Sequence, residues 1–573
     1  MRTVQRGIRR LRRSCRRGKR RVVASAGKQC GEIVASSAAV ATALRATPGA
    51  APARRRVAAT RALAGGLLLV AAFAAALFLY TRHAGMPFYY HSDEPSKVEQ
   101  VTGERPLNFK HPLLLMNATR LLARATGADA ERQDAARAGR FVAALFGALA
   151  VALLAALAWL ERGLLAAACV AVVVGLSHAL FTFSHFMKED SALVFGLSAA
   201  LLGGSWLLHR RTNGAAALFG AGCGLALSAK YAGAVVLAGA LLLPIAFGRR
   251  ALARGAAAFA GGLAACLLVV NGSALLDPAA FRAGVAYEAT HVATGGGRPF
   301  AGVASPAYAH ALRAQVAPPV LALGLGALAL GLATWRRRSA SERALLLFPL
   351  AYFAVLQLSP IKATRYLLPV VVALHALAGV AIAGTAGWAA ARAPSPRARP
   401  GARAALALAL LSAVAAAEAR ALRVHLGEFA AESRSALYAW VRAHVPPESA
   451  ILQDRYAGLS DPVLRYKTPS QPYLDAWVIT RHYAVDYGSV DDMRAAGVEY
   501  VAVCERAYGR FFGPARRFGS DETRARFERR RARYAELFAR GELVFEAGRS
   551  LVTGVAVNPV VRVYRLPGVG SGR

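Results

Sequence analysis

Residues 63–80, LAGGLLLVAAFAAALFLY, and the nearby stretch 89–112, YYHSDEPSKVEQVTGERPLNFKHP, decide how the rest of the chain is read. The first is apolar enough for a bilayer crossing, since about 20 residues cover the hydrocarbon core. The second places Asp93, Glu94, Lys97, Glu99, Glu104, Arg105, Lys110 and His111 where the chain has just emerged from that crossing. Charge is costly at a lipid boundary, so this cluster points to chemistry more than to anchoring. The competing reading is a solvated loop tethering two spans. For Asp93 with Glu94 the functional reading leads, because adjacent carboxylates at a lipid boundary contribute little to packing.

With 573 residues, 56% of them hydrophobic, and a mean hydropathy of +0.36, the chain reads as a polytopic helical membrane protein. A net charge of +39 would suggest nucleic acid, but charge must be located before it is interpreted. Much of it falls in residues 1–56 and in short loops between apolar runs, where it reports topology, and no nucleic-acid partner is inferred. The six cysteines contain no CxxC pair, so neither a zinc site nor a disulfide framework is indicated.

Residues 1–56 read as a disordered, Arg-rich cytoplasmic tail, residues 57–422 as a transmembrane catalytic body, and residues 423–573 as an extracytoplasmic α/β domain. About eleven apolar runs can be drawn as spans: 62–81, 139–160, 164–185, 191–208, 214–229, 231–247, 256–275, 316–334, 344–358, 366–386 and 404–422. The connections at 209–211, 248–254, 335–343 and 392–400 are basic and fall on the side of the tail. Positive-inside bias then sets the N-terminus in the cytoplasm and the last domain outside, as expected of a multi-pass protein of a bacterial inner membrane. The opposite connections carry the acids, lysines and histidines of interest. The last domain shows helical spacing at 433–444 and 522–540, with strand-like runs at 450–453, 499–504, 543–547 and 560–566.

A carboxylate that takes a proton from a hydroxyl needs partial burial and a neighbouring cation. Asp93 has the position, Glu94 is its alternative, and Asp190 is a further acid on the same face. Asp190 reads equally as a helix N-cap before Ser191. No cofactor is demanded, although Asp93 and Asp190 are the oxygen ligands that a divalent cation such as Mg or Mn would take. Lys230, Arg298, Lys362 and Arg365 are candidates to meet a departing phosphate. Lys230 is the strongest because it interrupts apolar sequence, whereas Lys362 and Arg365 also suit interface anchors. His91, His111 and His291 are candidate substrate contacts, or else surface histidines.

Four segments in this order resemble the GT-C superfamily of membrane glycosyltransferases, closest to glycosyltransferase family 39, the protein O-mannosyltransferase and aminoarabinose-transferase-like group. HSDE at 91–94 resembles its His-x-Asp-Glu motif, and NFKHPLL at 108–114 its loop element before a run of leucines. GLALSAKYAG at 224–233 and KATRYLLP at 362–369 are similar to its Lys-Tyr and Lys-x-x-Arg-Tyr-x-x-Pro elements. The likeness covers roughly 62–390. It implies a polyprenyl-phosphate sugar as donor, entering sideways from the bilayer, and inverting transfer to a hydroxyl acceptor, whether lipid, glycan or protein, at the extracytoplasmic face. Under it Asp93 is the general base, Lys230 and Arg365 hold the lipid phosphate with Lys362 beside them, and Asp190 orients acceptor or cation. Lys110, Tyr231 and Tyr366 lie within these motifs and join the histidines as substrate contacts. Readings from other classes are a lipid-linked glycan transporter or flippase, and a non-catalytic envelope scaffold. The paired halves and midplane helix breaks expected of a transporter are not visible in the sequence.

Overall fold

The computed structural model describes residues 50–86, 90–91, 93–293, 307–359, 361–393, 395–459, 477–513, 518, 520–549 and 557–568. Residues 1–67 and 68–573 form two compact units. Of the expected tail, residues 1–49 lie outside the described residues, while 50–56 are already helical. The described part of the first unit is the start of helix α1 (Ala50–Tyr80).

The second unit continues with α2 (Glu94–Val101), α3 (Leu114–Thr126), α4 (Arg132–Arg162), α5 (Leu164–Gly175), α6 (His178–Ser184), α7 (Glu189–Arg210) and α8 (Asn213–Ala229). A 3-10 segment (Tyr231–Leu241) leads to α9 (Leu242–Asn271), α10 (Ser273–Leu276), α11 (Pro278–Ala293), α12 (Ala307–Gln315), α13 (Pro318–Ala333), α14 (Ala340–Leu358), α15 (Leu368–Ala390) and α16 (Arg399–Ala430). Among the described residues 7 helices are long and apolar enough to cross a membrane, or up to 9 if each bent pair counts as one span.

The expected count of about eleven exceeds this number at two places. The run at 214–229 forms a helix of only 17 residues, and the runs at 231–247 and 256–275 join in one 41-residue element. That element turns at Gly248, whose φ of 63° and ψ of −177° suit glycine and few other residues. The bent pairs are α5 with α6, at 60°, and α12 with α13, at 116° just before Pro318 and Pro319. Proline at the first helical turn explains the second bend, because it starts a helix easily and cannot continue the one before.

Glycines set the approach of the helices that carry the site. A Cβ on Gly196 of α7 would sit 2.4 Å from the Ala226 backbone nitrogen of α8, and one on Gly220 of α8 2.0 Å from the Phe259 carbonyl oxygen of α9. Backbones can meet this closely only where side chains are missing. Helix α16 passes the expected boundary at 422/423 without a break and is followed by α17 (Ser433–His444).

The C-terminal region is a mixed five-stranded sheet in the order β2-β1-β3-β5-β4. Its strands are β1 (Ala450–Asp454), β2 (Trp477–Arg481), β3 (Tyr500–Cys504), β4 (Glu542–Ala547) and β5 (Val561–Arg565). β1 runs parallel to β2 and β3, and β5 pairs antiparallel with β3 and β4. α18 (Val490–Ala495), α19 (Glu505–Tyr508) and α20 (Asp521–Arg540) complete it. Asp454, at the end of β1, is buried and accepts hydrogen bonds from Cys504 N at 3.1 Å and Tyr534 Oη at 2.8 Å, so one carboxyl joins β1, β3 and α20.

Gly196→Ala is expected to lower stability by about 1–3 kcal/mol, the usual penalty for overpacking, read as a fall in the thermal midpoint of the detergent-solubilised chain. Gly261→Ala, where a Cβ would meet nothing within 4 Å, is the control and should hold or slightly raise the midpoint, since alanine favours a helix over glycine.

Candidate active site

The loop after α1 and the loop after α6 are tied together by Glu94. Its carboxylate is fully buried and accepts hydrogen bonds from Tyr90 N at 3.0 Å, Met187 N at 3.0 Å and Arg140 Nη2 at 2.8 Å. Arg140 also donates to the Met86 carbonyl at 2.7 Å and lies over the Tyr90 ring, 4.2 Å from its centroid. Every oxygen of Glu94 is thus engaged in holding two loops, which removes it as an alternative base.

That arrangement sets Asp93 against Lys188. Asp93 stands at the N-cap position of α2, but its side chain does not cap the helix. It pairs instead with Lys188, which is buried, while 43% of the Asp93 side chain remains exposed. His91 Nδ1 accepts the Asp93 N–H at 3.2 Å and lies 3.6 Å from its carboxylate. Burial alone would raise the Asp93 carboxyl, but the Lys188 ammonium overcomes it and holds the group well below the usual carboxylate range. Burial, then Lys188, lower His91, so the ring is neutral with its proton on Nε2. Asp93 is therefore an anion with an ammonium beside it.

The segment Lys188, Glu189, Asp190 at the start of α7 supplies the next layer. Glu189 forms a buried ion pair with Lys97 and lies 3.9 Å from Lys188, and Asp190 holds Lys230 at 2.9 Å. Lys230 sits where α8 stops, in an extended conformation (φ −160°, ψ 144°). The Lys230 ammonium lies 4.7 Å from the Tyr366 ring centroid, and the Arg365 guanidinium 5.1 Å from the same ring. His111 belongs to this group. Burial lowers it first, Glu189 pulls the other way, and Lys97, Lys188 and Lys230 help bring it to about 4. Glu189 Oε2, Asp190 Oδ2, Ser191 Oγ and Arg365 Nε are buried without a hydrogen-bond partner among the described residues.

The remaining expected residues have other places. The Lys362 ammonium donates to the carbonyls of Leu356 at 3.1 Å, Gln357 at 2.8 Å and Ser359 at 2.7 Å. Its three hydrogens close the C-terminal end of α14, which takes it out of the phosphate set. Tyr231 donates to the Phe109 carbonyl at 2.8 Å and so ties the segment after Lys230 to the loop before α3. Lys110 lies over the Tyr287 ring at 3.8 Å, and His291 stacks on that ring at 6.0 Å, forming a separate group. Arg298 lies outside the described residues. The sequence reading passed over Arg140, Lys97 and Glu189 as site residues. An arginine at the edge of the apolar run 139–160 was the available signal for the first.

A divalent cation does not fit these residues. Asp93, Glu189 and Asp190 each face an ammonium group, and among the described residues no group of three or more His, Cys, Asp or Glu side chains is placed to hold a metal ion.

Residues 129–252 match the family model described as "Dolichyl-phosphate-mannose-protein mannosyltransferase". No curated protein matches the chain. Among solved structures, the chain is similar to ArnT from Cupriavidus metallidurans bound to undecaprenyl phosphate, with 15% identity, 88% of this chain and 97% of that chain covered, and a TM-score of 0.46. It is also similar to the archaeal oligosaccharyltransferase AglB from Archaeoglobus fulgidus in complex with an inhibitory peptide and a dolichol-phosphate, at 12% identity, 78% and 70% coverage and a TM-score of 0.49. The oligosaccharyltransferase from Archaeoglobus fulgidus in complex with Zn and sulfate gives 13% identity, 78% and 69% coverage and a TM-score of 0.45.

Removing one partner of the buried Glu94–Arg140 pair should cost about 3–5 kcal/mol, because it strands a charge in the interior. Glu94→Ala and Arg140→Ala are expected to lower the thermal midpoint far more than Lys110→Ala, whose partner ring lies at the surface.

Proposed function

We propose that the chain is a membrane glycosyltransferase using a lipid-phosphate sugar donor, and that transfer takes place between Asp93 and the Lys230–Arg365 pair. The observation that carries this reading is the set of unsatisfied buried polar atoms at Glu189, Asp190, Ser191 and Arg365. Buried polar groups are nearly always hydrogen-bonded, so several orphans in one place suit a polar ligand.

The donor's phosphate is held by Lys230 and Arg365, which stabilise the negative charge that develops as the sugar leaves. Leu154, Val194, Leu197, Phe348 and Pro369 line a small apolar crevice beside these residues. Val194 lies one helical turn beyond Asp190, and Pro369 follows Arg365 by the same interval, so the crevice marks an apolar seam next to the proposed phosphate site. The acceptor hydroxyl attacks the anomeric carbon opposite the phosphate. The new C–O bond forms as the C–O bond to phosphate breaks, configuration inverts, and Asp93 takes the hydroxyl proton.

A carboxylate held this far below its usual range is a poor base until its cation moves. Lys188 provides the control. When the donor's phosphate draws Lys188 off Asp93, the carboxylate recovers proton affinity at the moment the donor is bound. Asp190 acts on Lys230, orienting its ammonium toward the phosphate. On this reading the site faces the extracytoplasmic side of a bacterial inner membrane, with residues 423–573 outside and 57–422 forming the catalytic body.

Asp93→Asn is expected to reduce transfer by about 10³-fold, in the range for loss of a general base, while polyprenyl-phosphate still binds. Lys230→Ala and Arg365→Ala should weaken that binding. The readouts are mass analysis of envelope glycans and lipids from cells carrying each variant, and lipid-phosphate binding to the purified chain. Full transfer by Asp93→Asn would remove the mechanism.

A further inference from the structure

A second buried polar cluster lies away from the carboxylate–lysine site. Glu418 of α16 is fully buried, with Oε2 2.9 Å from His178 Nδ1 on α6 and Oε1 3.1 Å from His375 Nε2 on α15. Oε1 also accepts the Ala317 N–H at 3.0 Å, at the bend between α12 and α13. Each histidine's other nitrogen faces a backbone carbonyl: His178 Nε2 lies 3.2 Å from Ala314 O, and His375 Nδ1 lies 2.8 Å from Val371 O.

Proton counting follows from these partners. A carbonyl only accepts, so His178 must carry hydrogen on Nε2 and His375 on Nδ1. A neutral imidazole then has a bare lone pair on the nitrogen that faces Glu418. Two lone pairs cannot share a hydrogen bond at about 3 Å, so each imidazole–carboxyl contact needs its own proton. With both contacts made, Glu418, His178 and His375 together carry one positive charge. With one proton fewer they are neutral, and one imidazole faces the carboxylate with nothing between.

We infer that Glu418, His178 and His375 form a buried proton-binding brace, closed when both bridging protons are present and loosened on one side when pH rises and one is lost. The groups that face it are few. Tyr80 of α1 feels the Glu418 charge, and its hydroxyl is bonded to the Gly175 carbonyl at 3.1 Å. His425 of α16 stacks against His178 at 5.0 Å and donates from Nδ1 to Thr182 Oγ1 at 2.8 Å, since that hydroxyl's hydrogen goes to the His178 carbonyl. α13 carries no titratable residue and α15 only His375, while Cys169 of α5 is a buried thiol.

The brace joins α16 to α6, and both lead to the site. From α6 the chain runs through Phe186 to Lys188, Glu189 and Asp190. From Glu418, α16 runs to Phe429, whose ring packs on Tyr90 at 5.0 Å, His185 at 4.3 Å and Phe186 at 6.0 Å. Glu418 and its two histidines are thus positioning residues for that wall of the site.

The test is the thermal midpoint of the full chain in lipid nanodiscs against pH, for wild type and Glu418→Leu. The folded brace keeps a bridging proton that the unfolded chain releases, so its stability is fully present below ~6.5, the value of a free imidazole, and is lost over the range above it. Wild type should lose on the order of 2–4 °C across that range relative to Glu418→Leu, whose side chain offers the imidazoles no bridging oxygen. Identical profiles would overturn the brace. Should Glu418→Leu fail to fold, nitrogen-15 histidine NMR of the wild-type chain decides. A coupled pair that changes protonation with pH supports the brace, and histidines that all stay singly protonated down to about pH 5 refute it.

Discussion

Everything at the site depends on buried carboxylates being matched, one by one, to buried cations. Four acids stand together at the starts of α2 and α7, and an isolated ionised carboxylate cannot stay ionised in such surroundings. Arg140 matches Glu94, Lys188 matches Asp93, Lys97 matches Glu189 and Lys230 matches Asp190. The four pairs do different work. Glu94 with Arg140 is sealed at 0% exposure on both sides and fixes two loops, whereas Asp93 is the pair member that stays 43% exposed. On the proposed reading, exposure separates the acid that meets the substrate from the one that only builds the place for it.

The same logic links the site to the rest of the chain. Phe429 sits where α16 ends and touches Tyr90 from the loop before Asp93 and Phe186 from the loop before Lys188. Ser433, at the first position of α17, donates to the Pro559 carbonyl, and Asn558 donates to Glu428 at 3.1 Å, so the segment before β5 is bonded to the end of α16. The last span is therefore held at its middle by histidines, near its end by aromatic rings, and beyond by the sheet region.

Much of this was legible in the sequence because apolar runs and isolated charges are strong signals in a membrane chain. Most of the spans, the α/β character of the last region and the low exposure of Lys230 follow from residue type and position. What the sequence could not supply was pairing. Glu94 and Asp93 are neighbours with the same chemistry, and only the fold gives one to Arg140 and leaves the other half open. Lys362 sits in the same motif as Arg365, yet its hydrogens are consumed by the end of α14. Glu418, His178 and His375 are separate polar residues in or beside separate apolar runs, and nothing local says that they meet. The expected and observed span counts part where a helix is short at 213–229 and where two helices meet at Gly248 in one long element, because hydropathy measures apolar length and not direction.

The most direct measurement is a structure of the chain with polyprenyl-phosphate bound. The account predicts a phosphate within hydrogen-bond distance of Lys230 and Arg365, with the Lys188 ammonium drawn away from Asp93 toward it. A phosphate bound elsewhere, with Lys188 still paired to Asp93, would contradict it.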